Sequence, residues 1–146
     1  QGAPDMETLA VMREPVSWLS SWYRYRARPF MDGKPNSTAD MTFDEFVDAY
    51  TRGERPPFAD VGSQAKFLEP RPNGTRIHHL FRYDDLDALN GFLETRLETS
   101  LDIGSANASA SLDIALSPKM DEKLRRKCAE DFALYATIPD GGLHDV

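Results

Sequence analysis

The chain has 146 residues, of which 40% are hydrophobic and 10% aromatic, a composition typical of one globular domain. Its 17 lysines and arginines against 24 aspartates and glutamates give a formal net charge of −7. This acidity argues against a nucleic acid partner, and no apolar run reaches the roughly 18 residues of a membrane-spanning helix. We therefore predict a single domain over residues 1–146, located in the cytoplasm.

The first predicted elements surround the sequence Arg13-Glu14-Pro15. A short apolar run precedes it, so we predict a strand over Thr8–Arg13. Proline is favoured at the first position of a helix, and the apolar periodicity that follows predicts a helix over Pro15–Arg28. Its four polar positions at i, i+4, i+7 and i+11 are Ser17, Ser21, Arg24 and Arg28.

The same segment is a basic island in an acidic chain. Residues 13–28 contain four arginines and one glutamate, a local charge of +3, so the other residues together carry −10. Helix N-termini attract anions, and the planar guanidinium group of arginine matches phosphate oxygens. The pattern therefore predicts an anion site, for a phosphate. The alternative is the ordinary strand–helix unit of an α/β core, with solvated serines.

Four further elements follow in the predicted order. Thr42 and Glu45 form a capping box at the start of a helix. A strand is predicted over Arg76–Phe81, and a leucine-rich helix begins at Asp84 or Asp85. After a long loop over Ser100–Leu116, the longest helix begins at Ser117-Pro118 and runs to about Ala136. The expected core residues are Trp18, Leu19, Trp22, Phe46, Leu89, Leu93, Leu124 and Phe132.

Several kinds of site are disfavoured by the residues themselves. Cys128 is the only cysteine, which excludes an intrachain disulfide, and we interpret it as a packed thiol. His78 and His79 are adjacent in a strand and point to opposite faces, so they do not share a metal, and no metal site is predicted. Three Asn-x-Ser/Thr sequons, interpreted as chance occurrences in polar loops, begin at Asn36, Asn73 and Asn107.

Arg13-Glu14-Pro15 with a serine eight residues after the arginine resembles the 3′-phosphate-binding segment of sulfotransferases, which use 3′-phosphoadenosine 5′-phosphosulfate. The resemblance implies that Arg13 and Ser21 bind this co-substrate, with Glu14 in place of the usual Asp or Asn. Three later segments are similar to bacterial members of the family, and the likeness spans roughly residues 8–137. These segments are Thr42–Val47, Leu80–Leu86 (LFRYDDL) and Ala129–Tyr135 (AEDFALY).

The resemblance has two further implications. Comparable segments in the family carry a glutamine near the co-substrate, which would give Gln64 that role, although we favour a solvated glutamine at a helix start. The family's lysine-containing loop, which cradles the 5′-phosphosulfate, lies well before the segment that carries Arg13, and Gln1–Glu7 does not match it. We therefore expect the chain to be the C-terminal part of a sulfotransferase-like domain.

The expected fold is α/β and helix-rich, a partial P-loop-like parallel sheet flanked by four helices. The expected function is sulfuryl transfer to the hydroxyl of a small-molecule or carbohydrate acceptor, with the catalytic base unassigned. A non-catalytic nucleotide-binding, anion-binding or scaffold protein is the alternative. A P-loop phosphotransferase is disfavoured because GxxxxGK[ST] does not occur in the sequence. A homo-oligomer is left open.

Overall fold

The computed structural model describes residues 8–70, 72, 74, 76–97 and 114–144. Within these ranges, no helix combines the length and the apolar character that crossing a membrane requires. Most of the predicted loop over Ser100–Leu116, together with Asn73 and Asn107, lies outside the described residues. The elements, in chain order, are β1 (Leu9–Met12), α1 (Pro15–Arg26), α2 (Phe43–Tyr50), α3 (Gln64–Phe67), β2 (His79–Arg82), α4 (Leu86–Leu97), α5 (Pro118–Lys127), α6 (Ala129–Ala136) and β3 (Leu143–His144).

The three strands form one mixed sheet in the order β1-β2-β3. β1 and β2 are parallel, with Leu9 opposite His79, whereas β3 runs antiparallel to β2, with Leu143 opposite Leu80. The predicted parallel pair and the helix-rich α/β class are confirmed. The predicted parallel sheet is wrong in one respect, because the described sheet gains an antiparallel strand at its edge. Both predicted strands are also longer than the observed ones.

α1 begins as predicted, with Pro15 at its first position, but it ends at Arg26 instead of Arg28. Arg28 precedes Pro29 and has an extended backbone (φ −68°, ψ 152°). The ring of a proline clashes with a helical conformation of the preceding residue, so the helix stops before it. The predicted capping box of α2 is confirmed: Glu45 N–H donates to Thr42 Oγ1 at 3.1 Å, and Thr42 N–H donates to Glu45 Oε1 at 2.8 Å.

The single long helix predicted from Ser117 to Ala136 is wrong, because it breaks at Cys128 into α5 and α6. Cys128 has φ −119° and ψ 38°, outside the helical region. Both halves contact the helical cluster, through Leu124 of α5 and Phe132 of α6, and α6 also reaches the sheet cluster through Leu134 and Tyr135.

Buried apolar side chains form two clusters, which we call the helical cluster and the sheet cluster. The helical cluster contains nine buried residues, from Leu19 of α1 through five residues of α2 to Leu124 of α5. The sheet cluster contains three, which are Met12, Leu80 and Ile138. Most of the apolar burial therefore lies among the helices.

The predicted core is half right. Leu19, Phe46, Leu89 and Leu124 are buried, as predicted. The other four predicted residues are only half-buried, and three of them pack against the outside of the helical cluster. The two tryptophans line an open groove of about 450 Å³ beside α3, which explains their partial exposure. These four half-buried residues are Trp18, Trp22, Leu93 and Phe132.

The turn before β3 was not predicted. Gly142 has φ 94°, a left-handed conformation that favours glycine. A Cβ atom at this position would lie 2.7 Å from ring carbons of Phe81 in β2. Glycine therefore allows the backbone to pass directly over an aromatic ring and to continue into β3.

Candidate functional site

Arg13 stands directly after the last residue of β1 and just before α1. It therefore lies at the carboxyl end of the parallel β1–β2 pair, the edge at which open parallel sheets bind ligands. Tyr83 follows β2 at the same edge, and the Arg13 guanidinium lies over the Tyr83 ring, 4.5 Å from its centroid. Tyr83 belongs to the LFRYDDL segment that carries part of the sulfotransferase resemblance.

The backbone of Arg13 is clamped by the side chain of Gln64. Arg13 N–H donates to Gln64 Oε1 at 3.0 Å, and Gln64 Nε2 donates to Arg13 C=O at 2.9 Å. The prediction of a solvated glutamine is wrong, because Gln64 is only 8% exposed. A primary amide has both a donor and an acceptor, so it pairs with one residue as a neighbouring strand would. Gln64 thus extends the hydrogen bonding of β1 by one residue.

The side chain of Arg13 is held by the first turn of α1. Arg13 Nε donates to Ser17 Oγ at 2.7 Å, and Ser17 N–H donates to Glu14 Oε1 at 2.9 Å. A carboxylate therefore already caps the N-terminus of α1. An anion bound here would depend on arginine and hydroxyl side chains, and less on free helix amides than the sequence predicts.

The structure brings Ser17 to the Arg13 guanidinium and places Ser21 one helical turn beyond Ser17, half-buried on the same face of α1. Between them, Ser20 is completely buried, and its hydroxyl accepts a hydrogen bond from the Ile114 amide at 3.1 Å. Ser20 is thus a structural serine, whereas Ser17 contacts the Arg13 guanidinium and Ser21 follows one turn later on the same helix face. The role of Arg13 and Ser21 in binding a phosphate stays a prediction.

The other arginines of the basic segment differ in their surroundings. Arg26 Nη1 donates to the carbonyls of Pro57 and Phe58, at 3.0 and 3.2 Å, and burial lowers its pKa from the ordinary value. Its role is therefore structural. Arg28 is exposed and lies 5.3 Å from the ring centroid of Tyr25. Arg24 is half-buried in the last turn of α1.

Arg82 and Tyr135 lie near Arg13 but were not predicted as site residues, although both belong to segments that carry the sulfotransferase resemblance. Arg82, at the end of β2, forms ion pairs with Asp84 and Asp140. Burial and the carboxylate of Asp84 raise the pKa of Tyr135 to about 12, so its hydroxyl stays protonated at neutral pH. The segments LFRYDDL and AEDFALY therefore meet around one acidic residue beside the candidate site.

The histidines and the cysteine show no catalytic arrangement among the described residues. His78 Nδ1 accepts a hydrogen bond from the Thr8 amide at 3.1 Å, while His79 Nδ1 lies 2.8 Å from His144 Nδ1. The described ranges contain no group of three or more potential metal ligands. Cys128 is half-buried, and burial together with Asp131 raises its pKa to about 11, as expected of a packed thiol.

Comparisons with family models, curated proteins and solved structures found no match to this chain. The candidate site is therefore described by its geometry only. Arg13 is half-buried at a sheet edge, is held at its backbone and its side chain, and is followed by Ser17 and Ser21. Guanidinium and hydroxyl groups are the side chains that pair well with oxyanions. The carboxylate described next to Arg13 is that of Glu14, which accepts the Ser17 amide as the cap of α1.

Proposed function

We propose that this chain is part of a sulfotransferase-like protein and binds the 3′-phosphate of 3′-phosphoadenosine 5′-phosphosulfate through Arg13 and Ser21. One observation carries the proposal. Arg13 lies at the carboxyl edge of a parallel strand pair, with Ser17 and Ser21 following it on one face of α1. This is the order of elements that the resemblance implies.

In the proposed reaction, a sulfuryl group passes in line from the phosphosulfate to an acceptor hydroxyl, of a small molecule or a carbohydrate. The 3′-phosphate is remote from the reacting sulfur, so its contacts hold and orient the co-substrate. The loop that binds the 5′-phosphosulfate, and the base that accepts the hydroxyl proton, lie outside this chain in the proposal. A partial P-loop-like fold, a cytoplasmic location and no metal requirement belong to the same proposal.

A calorimetric titration of the full-length protein tests the role of Arg13. Loss of a charge-assisted contact of about 1.5–3 kcal/mol should weaken 3′-phosphoadenosine 5′-phosphate about ten- to a hundredfold in the Arg13→Ala variant. Adenosine 5′-phosphosulfate, which lacks the 3′-phosphate, should be affected much less.

Arg28→Ala is the matched control, because it removes an exposed charge from the same basic segment. Equal losses for the two nucleotides would show that Arg13 has only a structural role. An equal effect of Arg28→Ala would show that only the general positive charge of the segment matters. Ser21→Ala should lower the affinity for the 3′-phosphate nucleotide alone, and less than Arg13→Ala does.

One observation weighs against a phosphate at Arg13 and so favours the scaffold form of the non-catalytic alternative. The Glu14 carboxylate caps α1 beside Arg13, where it repels a phosphate and occupies the Ser17 amide. The two functions are separated by supplying 3′-phosphoadenosine 5′-phosphosulfate and a panel of hydroxyl acceptors to the full-length protein. Arg13-dependent nucleotide binding without any sulfuryl transfer would support the non-catalytic protein.

A further inference from the structure

Two adjoining cavities lie beside α3, on the side away from Arg13. Their volumes are about 320 and 300 Å³, and both are lined by Arg55, Ser63 and Lys66. We call the two together the basic cleft. Its five cationic residues are Arg52, Arg55, Lys66, Arg126 and Lys127.

Positive charge predominates in the basic cleft although the whole chain is acidic. Five cations and three carboxylates, those of Asp60, Glu130 and Asp131, line the cleft in a chain whose net charge is −7. Arg52 and Arg126 also form ion pairs with Asp48 and Glu122 outside this lining, so the charge offered to a ligand comes mainly from Arg55, Lys66 and Lys127. The buried Asp131 is engaged locally, since its Oδ1 accepts from Ser63 Oγ at 3.1 Å and from the Ala65 amide at 2.9 Å. A concave surface with excess positive charge raises the local concentration of anions.

Arg55 forms a rigid centre between the two cavities. Its Nε donates to the Tyr50 carbonyl at 2.7 Å, its Nη1 donates to the Gly62 carbonyl at 3.3 Å, and its guanidinium lies 3.9 Å from the Tyr50 ring centroid. Tyr50 is itself fixed by a hydrogen bond of 2.7 Å from its hydroxyl to the Gly62 carbonyl. The charge shared by both cavities is therefore held in place before any ligand arrives, which reduces the entropy lost on binding.

The single turn of α3 separates the cleft from the candidate site at Arg13. Gln64 points to the Arg13 backbone, while Ser63 and Lys66 line the cleft. The Cys128 thiol in the second cavity, whose pKa burial raises to about 11, adds no negative charge at neutral pH. A ligand that binds the cations of the cleft would therefore not contact Arg13.

We propose that the basic cleft is a second anion-binding site, which takes a ligand carrying two or more phosphate or sulfate groups, one in each cavity. Two groups are proposed because each cavity is lined by cations that the other lacks, the ion-paired Arg52 in the first and Lys127 with the ion-paired Arg126 in the second. Arg55 and Lys66 lie between them and contact both groups.

Calorimetric titration with three probes tests the site on the chain as it stands. Inorganic tripolyphosphate represents a phosphorylated ligand, sucrose octasulfate a sulfated one, and orthophosphate a single oxyanion. At least one multivalent probe should bind about tenfold or more tightly than orthophosphate, and affinity should fall between about 20 and 200 mM salt because these charges are exposed to screening. Binding of tripolyphosphate alone would identify phosphate groups as the ligand, and binding of the octasulfate alone would identify sulfate groups.

Lys66→Gln and Lys127→Gln are the informative variants, since Arg52 and Arg126 already take part in ion pairs with Asp48 and Glu122. Each should weaken the multivalent probe about two- to fivefold, the upper part of the range expected for an exposed cation. Lys119→Gln removes an exposed charge from α5 outside both cavities and should have no comparable effect.

Three results would overturn the proposal. They are equal binding of orthophosphate and both multivalent probes, equal effects of Lys119→Gln and Lys66→Gln, and loss of binding in Arg13→Ala but not in Lys66→Gln. The last result would place the anion at Arg13 and would leave the proposed function intact. Conversely, the cleft retains its ligand if the nucleotide experiments on Arg13 fail.

Discussion

The helical cluster and the sheet cluster hold their parts of the molecule by different means. The helical cluster buries nine apolar residues, several of them aromatic, whereas the sheet cluster buries three. The sheet compensates with polar contacts between distant residues, such as the Gln64 amide on the Arg13 backbone and the Thr8 amide on His78. Arg13 lies in this second region, so directional hydrogen bonds, more than packing, determine its geometry.

The largest effect should follow from Phe46→Ala in the helical cluster. Phe46 is fully buried, and its truncation should lower the free energy of unfolding by about 3–5 kcal/mol through lost burial and a cavity. Chemical denaturation followed by circular dichroism measures this loss. Hydrogen exchange of the Arg13 amide under native conditions should change only through global unfolding. A selective loss of protection at Arg13 would contradict the separation of the two regions.

A smaller loss with a local signature should follow from Gln64→Leu. The change leaves the half-buried N–H and C=O of Arg13 without this partner and should cost about 1–3 kcal/mol. The Arg13 amide should then exchange faster than the amides of β1. Leu68→Ala, a truncation just after α3, is the control for lost packing alone. If Gln64→Leu left Arg13 protected, the amide clamp would have no role in the site.

The smallest effect concerns pH and the thiol of the helical cluster. Burial raises the pKa of Cys128 to about 11, so the folded state holds its proton more tightly than the unfolded state. The resulting stabilisation is complete below about pH 8.5, the ordinary pKa of a thiol, and is lost as pH rises towards 11. The rate at which iodoacetamide alkylates the native protein, measured as a function of pH, should give an apparent pKa near 11. The same measurement in denaturant should give about 8.5. A native value near 8.5 would show that the thiol is not packed.

Local signals predicted much of the fold. The capping box at Thr42, Pro15 at the start of α1 and the apolar run before Arg13 each depend on residues close in sequence, and each is found in the structure. The break at Cys128 and the burial of Gln64 depend on contacts across the fold instead. Asp131 reaches Ala65, and Gln64 reaches Arg13, over 66 and 51 positions respectively.

The candidate site shows the same limit. Arg13 could be selected because a charged residue after an apolar run is visible in the sequence. Tyr83 and Ser17 could not be ranked above other tyrosines and serines, since only the β1–β2 pairing brings Tyr83 under the guanidinium. The basic cleft was also invisible, because its cations come from segments more than 50 positions apart.

The backbone at Gly142 limits which residues the chain tolerates near its end. Gly141 and Gly142 both have positive φ, but a Cβ at Gly141 would meet nothing within 4 Å, whereas one at Gly142 would collide with the ring of Phe81. Asparagine, which tolerates left-handed backbone, is therefore an acceptable substitute at the first position and not at the second. Of two adjacent and chemically identical residues, one is replaceable. The other is restricted to glycine for as long as an aromatic ring occupies position 81.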